Sequence, residues 1–409
     1  MTADDRADRH LKQRYLLVVP VAFARDPEGR IWLDQLWWHD LRVHLAYLEN
    51  LTVLAPCQRI SRPEPGMVEV TRPEAGRLAF VEIFPAGGML TVLSHLISAI
   101  RTVWKAVGRS DLIHSGVAGW PIPVGAIVNP IAVLRRKPLI IVIESAFWRL
   151  QEGASSGWKA RLRAWLTEAF AKWSLRQAAL AVYTHAGYRD TLPVGPKGIA
   201  AVLPASWISE QNVISPAEAG AAWDEKRHGP RFLLASRLVP EKGIPLFLET
   251  LDRLDRKGMP IGVDVIGSGA MRPDIEAFAR KAKAVRIRLL DPVPYGPAFM
   301  QLVRSYHATI VPLTGDEQAR ILYDSFSQAV PVIATDTAGN REVVTDSETG
   351  FLVQADDPEA FAQTLLECAG KPEALRRAGL SALRVAAGHT HWDMHRKRAD
   401  ILRELFGTG

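Results

Sequence analysis

Hydrophobic and polar positions alternate in the same way in both halves of the chain. In the first half, short runs rich in β-branched residues read as strands: YLLVVPVAF (15–23), LTVLAP (51–56), DLIHSG (111–116), PLIIVIES (138–145) and ALAVYTH (179–185). Between them, MLTVLSHLISAIRTVWKAV (89–107) and GWKARLRAWLTEAFAKWSLRQ (157–177) carry the three-to-four-residue spacing of amphipathic helices. The second half repeats the pattern, with strands at 231–236, 261–269, 286–291, 307–313 and 331–336 and helices at 244–258, 272–283, 296–305 and 358–370. Near-continuous apolar strands alternating with helices predict an α/β fold whose parallel sheets are covered on both faces.

The polar, Ser- and Ala-rich stretch at 206–229 predicts a linker between the two patterns. It separates a domain over 1–205 from one over 230–388, and 389–409 is expected to form a helix that packs back on the first. Two doubly wound, Rossmann-like domains facing each other would bind a ligand in the cleft between them.

Composition is that of an ordinary globular protein, 48% apolar and 23% charged over 409 residues, enough for two domains. Cys57 and Cys368 match no metal-ligand spacing and read as isolated thiols in a reducing cytosol. The charged opening MTADDRADRHLKQRY is expected to fray, and Leu16–Phe23 is too short to span a bilayer. The longer apolar stretch Gly116–Leu134 is interrupted by Pro121, Pro123 and Pro130, which argues against a membrane helix. These features predict a cytoplasmic chain. Residues 1–200 hold 25 Lys and Arg against 17 Asp and Glu, and the remainder 25 against 27. A basic first half predicts an anionic partner for it: membrane surface, phosphorylated lipid or nucleic acid.

Two segments carry candidate chemistry. In ASRLVPEKG (235–243), Arg237 and Lys242 follow a strand and precede a helix. Fixed cations at the carboxyl edge of a parallel sheet suit a diphosphate, because guanidinium binds phosphate oxygens in pairs. A solvated turn would look the same. In GDEQARILYDSF (315–326), Asp316 and Asp324 stand eight residues apart around a helix start expected near Ala319. Helical rise puts them at most about 12 Å apart. That is too far to share a metal ion or to act as a glycosidase pair, and it suits an elongated ligand with phosphate in the middle. The plainer alternative makes Asp316 a helix cap and Asp324 a surface residue.

Taken together, the motifs of the second half resemble the nucleotide-sugar domain of family-4 retaining glycosyltransferases, which have the GT-B fold. The resemblance rests on Arg237-Leu238-Val239-Pro240-Glu241-Lys242-Gly243, then Gly267-Ser268-Gly269, then Asp316 and Asp324, then Pro331-Val332-Ile333-Ala334. It continues through Ala338-Gly339-Asn340-Arg341-Glu342-Val343-Val344 and Thr349-Gly350-Phe351-Leu352-Val353, in the family's order over about 120 residues. It implies a metal-independent hexosyltransferase-type enzyme in which Arg237 and Lys242 hold the donor diphosphate and stabilise the leaving nucleotide. Asp324 would hold the ribose and Asp316 the donor sugar, with Gly267 beside them and the backbone at Ala319, Arg320, Ile321 and Leu322 cradling phosphate. No cofactor is implied beyond the nucleotide-diphosphate sugar itself.

This chain departs from the family at several points. Both acids are glutamate in the family and aspartate here, one methylene shorter. The glycine-rich phosphate turn is replaced by Glu317-Gln318-Ala319-Arg320, so that Glu317 becomes the first acid if the loop is slipped by one residue. Arg320 either adds a phosphate contact or points to solvent. The glycine pair expected after the first strand is absent, and ARDPEGRIW (24–32) reads as a loop, while Gly87-Gly88 reads as a helix start.

On the acceptor side the candidates are His114, at a strand end, and Glu144, which ends an apolar strand where it would orient or deprotonate a hydroxyl. The helix at 157–177 interleaves Trp158, Trp165 and Trp173 with Lys159, Arg161, Arg163, Lys172 and Arg176. With Arg135-Arg136-Lys137, it suits either an anionic membrane surface or an ordinary solvated face. The expected acceptor is therefore a glycan, a lipid-linked or a cell-surface polysaccharide precursor, met at the inner face of a membrane. His389, His391 and His395 lie close together without an evident acidic companion, so a packing helix is expected there and no metal site. A rival reading is an inactive GT-B scaffold or nucleotide-sugar-sensing subunit. Nucleic-acid binding is disfavoured for want of a recognisable module, and a dinucleotide dehydrogenase for want of GxGxxG after a strand.

Overall fold

Strand β1 (Leu11–Val18) ends in four consecutive buried residues, Tyr15 to Val18, as a strand covered on both faces requires. This computed structural model describes residues 10–70, 77–119, 122–150, 157–226 and 229–407. The opening through residue 9 and Pro121 lie outside the described residues. The chain forms two compact units. One comprises Met1–Tyr183, Tyr188–Leu203 and His395–Gly409, and the other Thr184–Gly187 and Pro204–Met394.

The first unit continues with β2 (Phe23–Arg25), β3 (Ile31–Asp34), β4 (Leu48–Arg59), β5 (Met67–Glu69), β6 (Leu78–Pro85), β7 (Leu112–Ser115), β8 (Leu139–Ile143), β9 (Leu180–Tyr183) and β10 (Ile199–Val202). The sheet runs β10-β9-β8-β7-β1-β4-β2-β3-β5, with β6 also on β4. Strands β10 through β4, β6 and β2 pair in parallel, while β3 and β5 continue beyond β2 as an antiparallel edge. That edge corrects the sequence reading of 24–32 as a loop. Asp26 accepts the amide of Arg30 at 2.8 Å, its Nε at 2.7 Å and Nε1 of Trp32 at 2.9 Å, closing the β2–β3 hairpin. The helix expected over 89–107 is two helices, Met89–Ser94 behind Gly88 and Leu96–Arg109. They part at His95, where the ring bonds back to the carbonyl of Thr91. Among the described residues no helix is long and apolar enough to cross a membrane.

The second unit is a six-stranded parallel sheet of β11 (Arg231–Ala235), β12 (Gly262–Ile266), β13 (Arg286–Leu290), β14 (Ala308–Val311), β15 (Val332–Thr335) and β16 (Gly350–Val353). Its order, β13-β12-β11-β14-β15-β16, reverses direction at β11, and every pairing is parallel. Phe232, Leu234, Val263, Val265 and Ile310 pack one face against helices Ile244–Arg256 and Pro358–Gly370. The stretch read as a linker carries helix Pro216–Glu225, capped by Ser215 with Glu218. Its Trp223 is buried with Phe232 and donates Nε1–H to the carbonyl of Ala329 at 2.9 Å.

Candidate donor site

In a doubly wound sheet the ligand crevice lies beyond the carboxyl ends of the strands, where the strand order reverses. Here that place is the end of β11, flanked by β12 and β14. Arg237 follows β11, Gly267 follows β12 and Asp316 follows β14, so the topology brings three sequence-distant motifs to one sheet edge.

Close backbone approach locks these loops together. Gly243 has φ +74, and a Cβ there would sit 1.6 Å from the carbonyl oxygen of Pro312, so the turn before helix Ile244–Arg256 packs directly on the chain leaving β14. Gly267 has φ +150, and its Cβ would lie 1.9 Å from the carbonyl oxygen of Ser236. Only glycine satisfies both the dihedral and the space. The amide of Leu238 donates to Ser268 O at 2.8 Å, joining the β11 and β12 loops.

Arg237 is exposed, and its guanidinium has no hydrogen bond or ion pair among the described residues. Lys242 is ion-paired with Glu317, with side-chain exposures of 20% and 23%. Glu317, not Asp316, thus meets the lysine, while Asp316 is exposed in the same loop. Gln318 is committed elsewhere. Its amide group exchanges two hydrogen bonds of 2.8 Å with the backbone of Ala205.

The helix expected near Ala319 begins at Ile321 and is short, Ile321–Ser327. Leu322 donates its amide to Ala319 O at 3.3 Å, and the amides of Ala319, Arg320 and Ile321 have no backbone acceptor among the described residues. Three open amides and a cationic side chain suit an anion. Leu322 itself, an expected member of the cradle, uses its amide internally and buries its side chain. Arg320 stacks its guanidinium over Trp207 at 4.7 Å, and Trp207 stacks in turn on His391.

Asp324 is no surface residue. It is 4% exposed and accepts a hydrogen bond from the hydroxyl of Tyr295 at 2.7 Å. Burial pushes its carboxyl up to about 7, against the opposing pull of Tyr295 and Arg320. The sign of the resulting pH dependence follows. Between an unfolded value of about 3.9 and the folded value, the unfolded chain has lost a proton that the folded one keeps. Stability therefore falls as pH rises through that window, by up to about 1.4 kcal/mol per pH unit from this group. Asp324→Asn is expected to remove that slope, measured as denaturant midpoints at pH 4.5, 5.5, 6.5 and 7.5. An unchanged slope would mean that Asp324 titrates normally. Tyr295, the partner that sequence reading missed, sits between a glycine and a proline with no motif of its own.

The first unit places the acceptor-side candidates differently from each other. His114 is 8% exposed, with Nδ1 at 2.8 Å from the Tyr15 hydroxyl. It belongs to a buried polar cluster with His44, Tyr47, His395 and Arg398. His395 bonds the Tyr47 hydroxyl at 3.1 Å and Asp40 at 3.0 Å, and Arg398 lies 3.4 Å from His44. Burial, Arg398 and His44 hold His114 well below the usual histidine range, so it is neutral at physiological pH. Asp40 is the acidic companion of His395 that the local sequence did not reveal. Glu144 is exposed just beyond the carboxyl end of β8.

Residues 229–370 match the sequence pattern of the group 1 glycosyl transferases. A D-inositol 3-phosphate glycosyltransferase of Nocardia farcinica is 28% identical over 195 residues, 42% of this chain and 43% of that protein. An alpha-D-kanosaminyltransferase of Streptomyces kanamyceticus is 23% identical over 261 residues, 60% of this chain and 64% of that one. Each match spans less than two thirds of the relative's length. Among solved structures, a sucrose-phosphate synthase of Thermosynechococcus elongatus superposes with a TM-score of 0.71 at 16% identity, over 97% of this chain and all (100%) of that one. Anabaena HepE, in complex with UDP-glucose, superposes with a TM-score of 0.65 at 12% identity, over 96% of this chain and 100% of the other.

Proposed function

We propose that this chain, which has the GT-B fold and carries a group 1 glycosyltransferase domain at 229–370, transfers a hexose from a nucleotide-diphosphate sugar to an acceptor hydroxyl with retention of configuration. The observation that carries the reading is the sheet edge beyond β11. There an uncompensated Arg237, Lys242 and the open amides of 319–321 assemble beside two buried or loop-borne acids. Arg237 and Lys242 take up the charge that grows on the leaving diphosphate as the glycosidic bond breaks, and such preorganised charge is usually the largest catalytic contribution. Lys242 exchanges Glu317 for phosphate when the donor enters. Asp324, once ionised, accepts from the ribose hydroxyls, and Asp316 from the donor sugar. The positive charge needed at the diphosphate is supplied by side chains, so no metal ion or cofactor is invoked.

The test is calorimetric titration with a panel of nucleoside diphosphates and their sugars, followed by measurement of donor hydrolysis. Saturable binding of one nucleotide-sugar with slow hydrolysis supports the enzyme. The ion pair of Lys242 with Glu317, which neutralises one donor cation, favours the alternative of a nucleotide-sugar-sensing scaffold. Binding without any turnover would establish that alternative, and no binding at all would sink both.

The acceptor reading rests on the first unit. Between Glu82 and Glu144 the chain has one acid, Asp111, against six Lys and Arg. Helix Trp158–Gln177 exposes Trp158 (70%), Leu162 (47%), Trp165 (64%) and Leu166 (53%) beside Lys159, Arg161 and Arg163. Helices 89–94 and 96–109 expose Leu90, Leu93 and Ile97. Apolar area interleaved with cations, its one carboxylate, Glu168, being held by Arg149, fits an anionic lipid surface and a lipid-linked glycan precursor at the cytoplasmic face. Replacing Trp158 and Trp165 together by serine should weaken binding to phosphatidylglycerol vesicles by at least about tenfold, from roughly 1.5 kcal/mol or more of lost burial. Raising salt should weaken wild-type binding further. Equal sedimentation of both proteins with the vesicles would overturn the membrane reading.

A further inference from the structure

The second unit has a cavity of about 520 Å³ at the opposite edge of its sheet, where the strands begin. Arg231 opens β11 and His307 immediately precedes β14, and helices Pro216–Glu225 and Pro297–Arg304 complete the walls with Glu218, Lys226 and Arg304. None of these residues belongs to the donor loops, which follow the strands' other ends.

Beyond Arg231, which Asp264 holds, the wall sets Lys226 and Arg304, both half-buried, against Glu218 and Glu225, both exposed. Lys226 donates to the carbonyl of Tyr306 at 2.7 Å and lies 3.8 Å from the centre of the Trp223 ring, and has no acidic partner among the described residues. Arg304 spends only Nε, on Gln328 at 3.0 Å. The amide of Arg231 donates to Nδ1 of His307 at 3.1 Å and the ring also hydrogen-bonds the backbone of Lys226, so both ring nitrogens are engaged within the protein.

Two of the nearby acids are committed. Asp264 is held by Arg231 at 2.9 Å, Arg288 at 2.6 Å and the Tyr306 hydroxyl at 2.6 Å. Glu218 is bound by the amide and hydroxyl of Ser215, both at 2.8 Å, and is also attracted by the charge of Arg304. Glu225, also in the wall, is exposed. Burial, reinforced by Arg304, brings the Lys226 ammonium down to about 7, as expected for a cation lacking its counter-ion.

We propose that this cavity is a second anion site, which binds inorganic phosphate or a small phosphate monoester through Lys226 and Arg304. A tetrahedral oxyanion accepts from several donors at once, and an ammonium and a guanidinium drawn from the ends of two separate helices can both meet it. The volume accommodates phosphate with a small organic group attached. Ligand charge returns the proton to Lys226, so binding takes up a proton near neutral pH.

The test is titration calorimetry on the full chain with inorganic phosphate, glycerol 3-phosphate and sulfate, in two buffers of different ionisation heat. Lys226→Met and Arg304→Met are each expected to weaken phosphate or its ester by at least about tenfold while leaving nucleoside diphosphate binding unchanged. Arg237→Ala should do the reverse. The proton uptake of the wild type should shrink in Lys226→Met, which lacks the titrating amine. Tighter binding of the ester than of inorganic phosphate would identify a phosphorylated metabolite as the ligand, and the opposite order would identify phosphate itself. Phosphate binding lost in Arg237→Ala but kept in both cavity variants would overturn the proposal, as would equal, variant-independent binding of sulfate.

Discussion

Arg237→Ala is expected to lower kcat/KM for the nucleotide-sugar by about a hundred- to a thousandfold, with no loss of thermal stability. The activity loss follows from removing one fixed positive group at developing negative charge, which costs roughly 2.7–4 kcal/mol in comparable sites. Unchanged stability follows from the folded protein itself, since the guanidinium is exposed and has no partner among the described residues. Such a side chain contributes nothing measurable to folding and is free for a ligand. Lys242→Met should lose activity comparably but shift the melting temperature slightly, because Glu317, 23% exposed, loses its partner. Both variants should bind the nucleoside diphosphate more weakly than wild type. If diphosphate affinity were unchanged in both, the donor site would lie elsewhere.

How much of this was legible in the sequence differs between the two units. Most of the second unit's strands announce themselves through runs of buried residues, and β14 and β15 consist of four buried residues each. By contrast, β13 has no buried residue and was read from its alternation, and the half-buried β16 was not read as a strand. Its motif loops are equally visible, since Gly243 and Gly267 are dictated by backbone approach and mark their own positions. What the sequence concealed is pairing. That Glu317 takes Lys242, that Tyr295 takes Asp324 and that Asp40 takes His395 depends on contacts across 75, 29 and 355 residues. Local periodicity carries no trace of such contacts. In the first unit β3, β5 and β6 were missed for a different reason. Each is partly exposed, and β6 includes Glu82, so neither a continuous apolar run nor strict alternation appears.

Helix Pro216–Glu225 was missed because its small residues resemble linker composition. Its signals were the Ser215-to-Glu218 capping box with Pro216 at the first helical position, and Trp223 as its one large anchor. The same short segment supplies Trp223 to the core and is followed directly by Lys226. A stretch with the composition of a connector therefore shapes both the hydrophobic layer beneath the sheet and the cavity at its edge.

Gly243→Ala is expected to be the most destabilising single-methyl substitution in the second unit, and Gly258→Ala is its control. Both glycines have left-handed backbone, with φ +74 and +69, so alanine pays a similar conformational penalty of about 1 kcal/mol at each. They differ in space. A Cβ at Gly258 meets nothing within 4 Å, whereas one at Gly243 would lie 1.6 Å from Pro312 O and 2.5 Å from its carbonyl carbon. Neither atom is the end of a flexible side chain, so the β11 or the β14 loop must move, adding roughly 1–3 kcal/mol of overpacking. For a unit of this size the total amounts to a fall of about 5–15 °C in melting temperature for Gly243→Ala, against a few degrees for Gly258→Ala. The displaced loop is the one that carries Lys242, so nucleoside diphosphate affinity should fall in the first variant and hold in the second. Equal melting temperatures for the two would mean that the close approach of the loops contributes nothing to the fold. Equal diphosphate affinities would mean that the position of Lys242 does not matter to the donor.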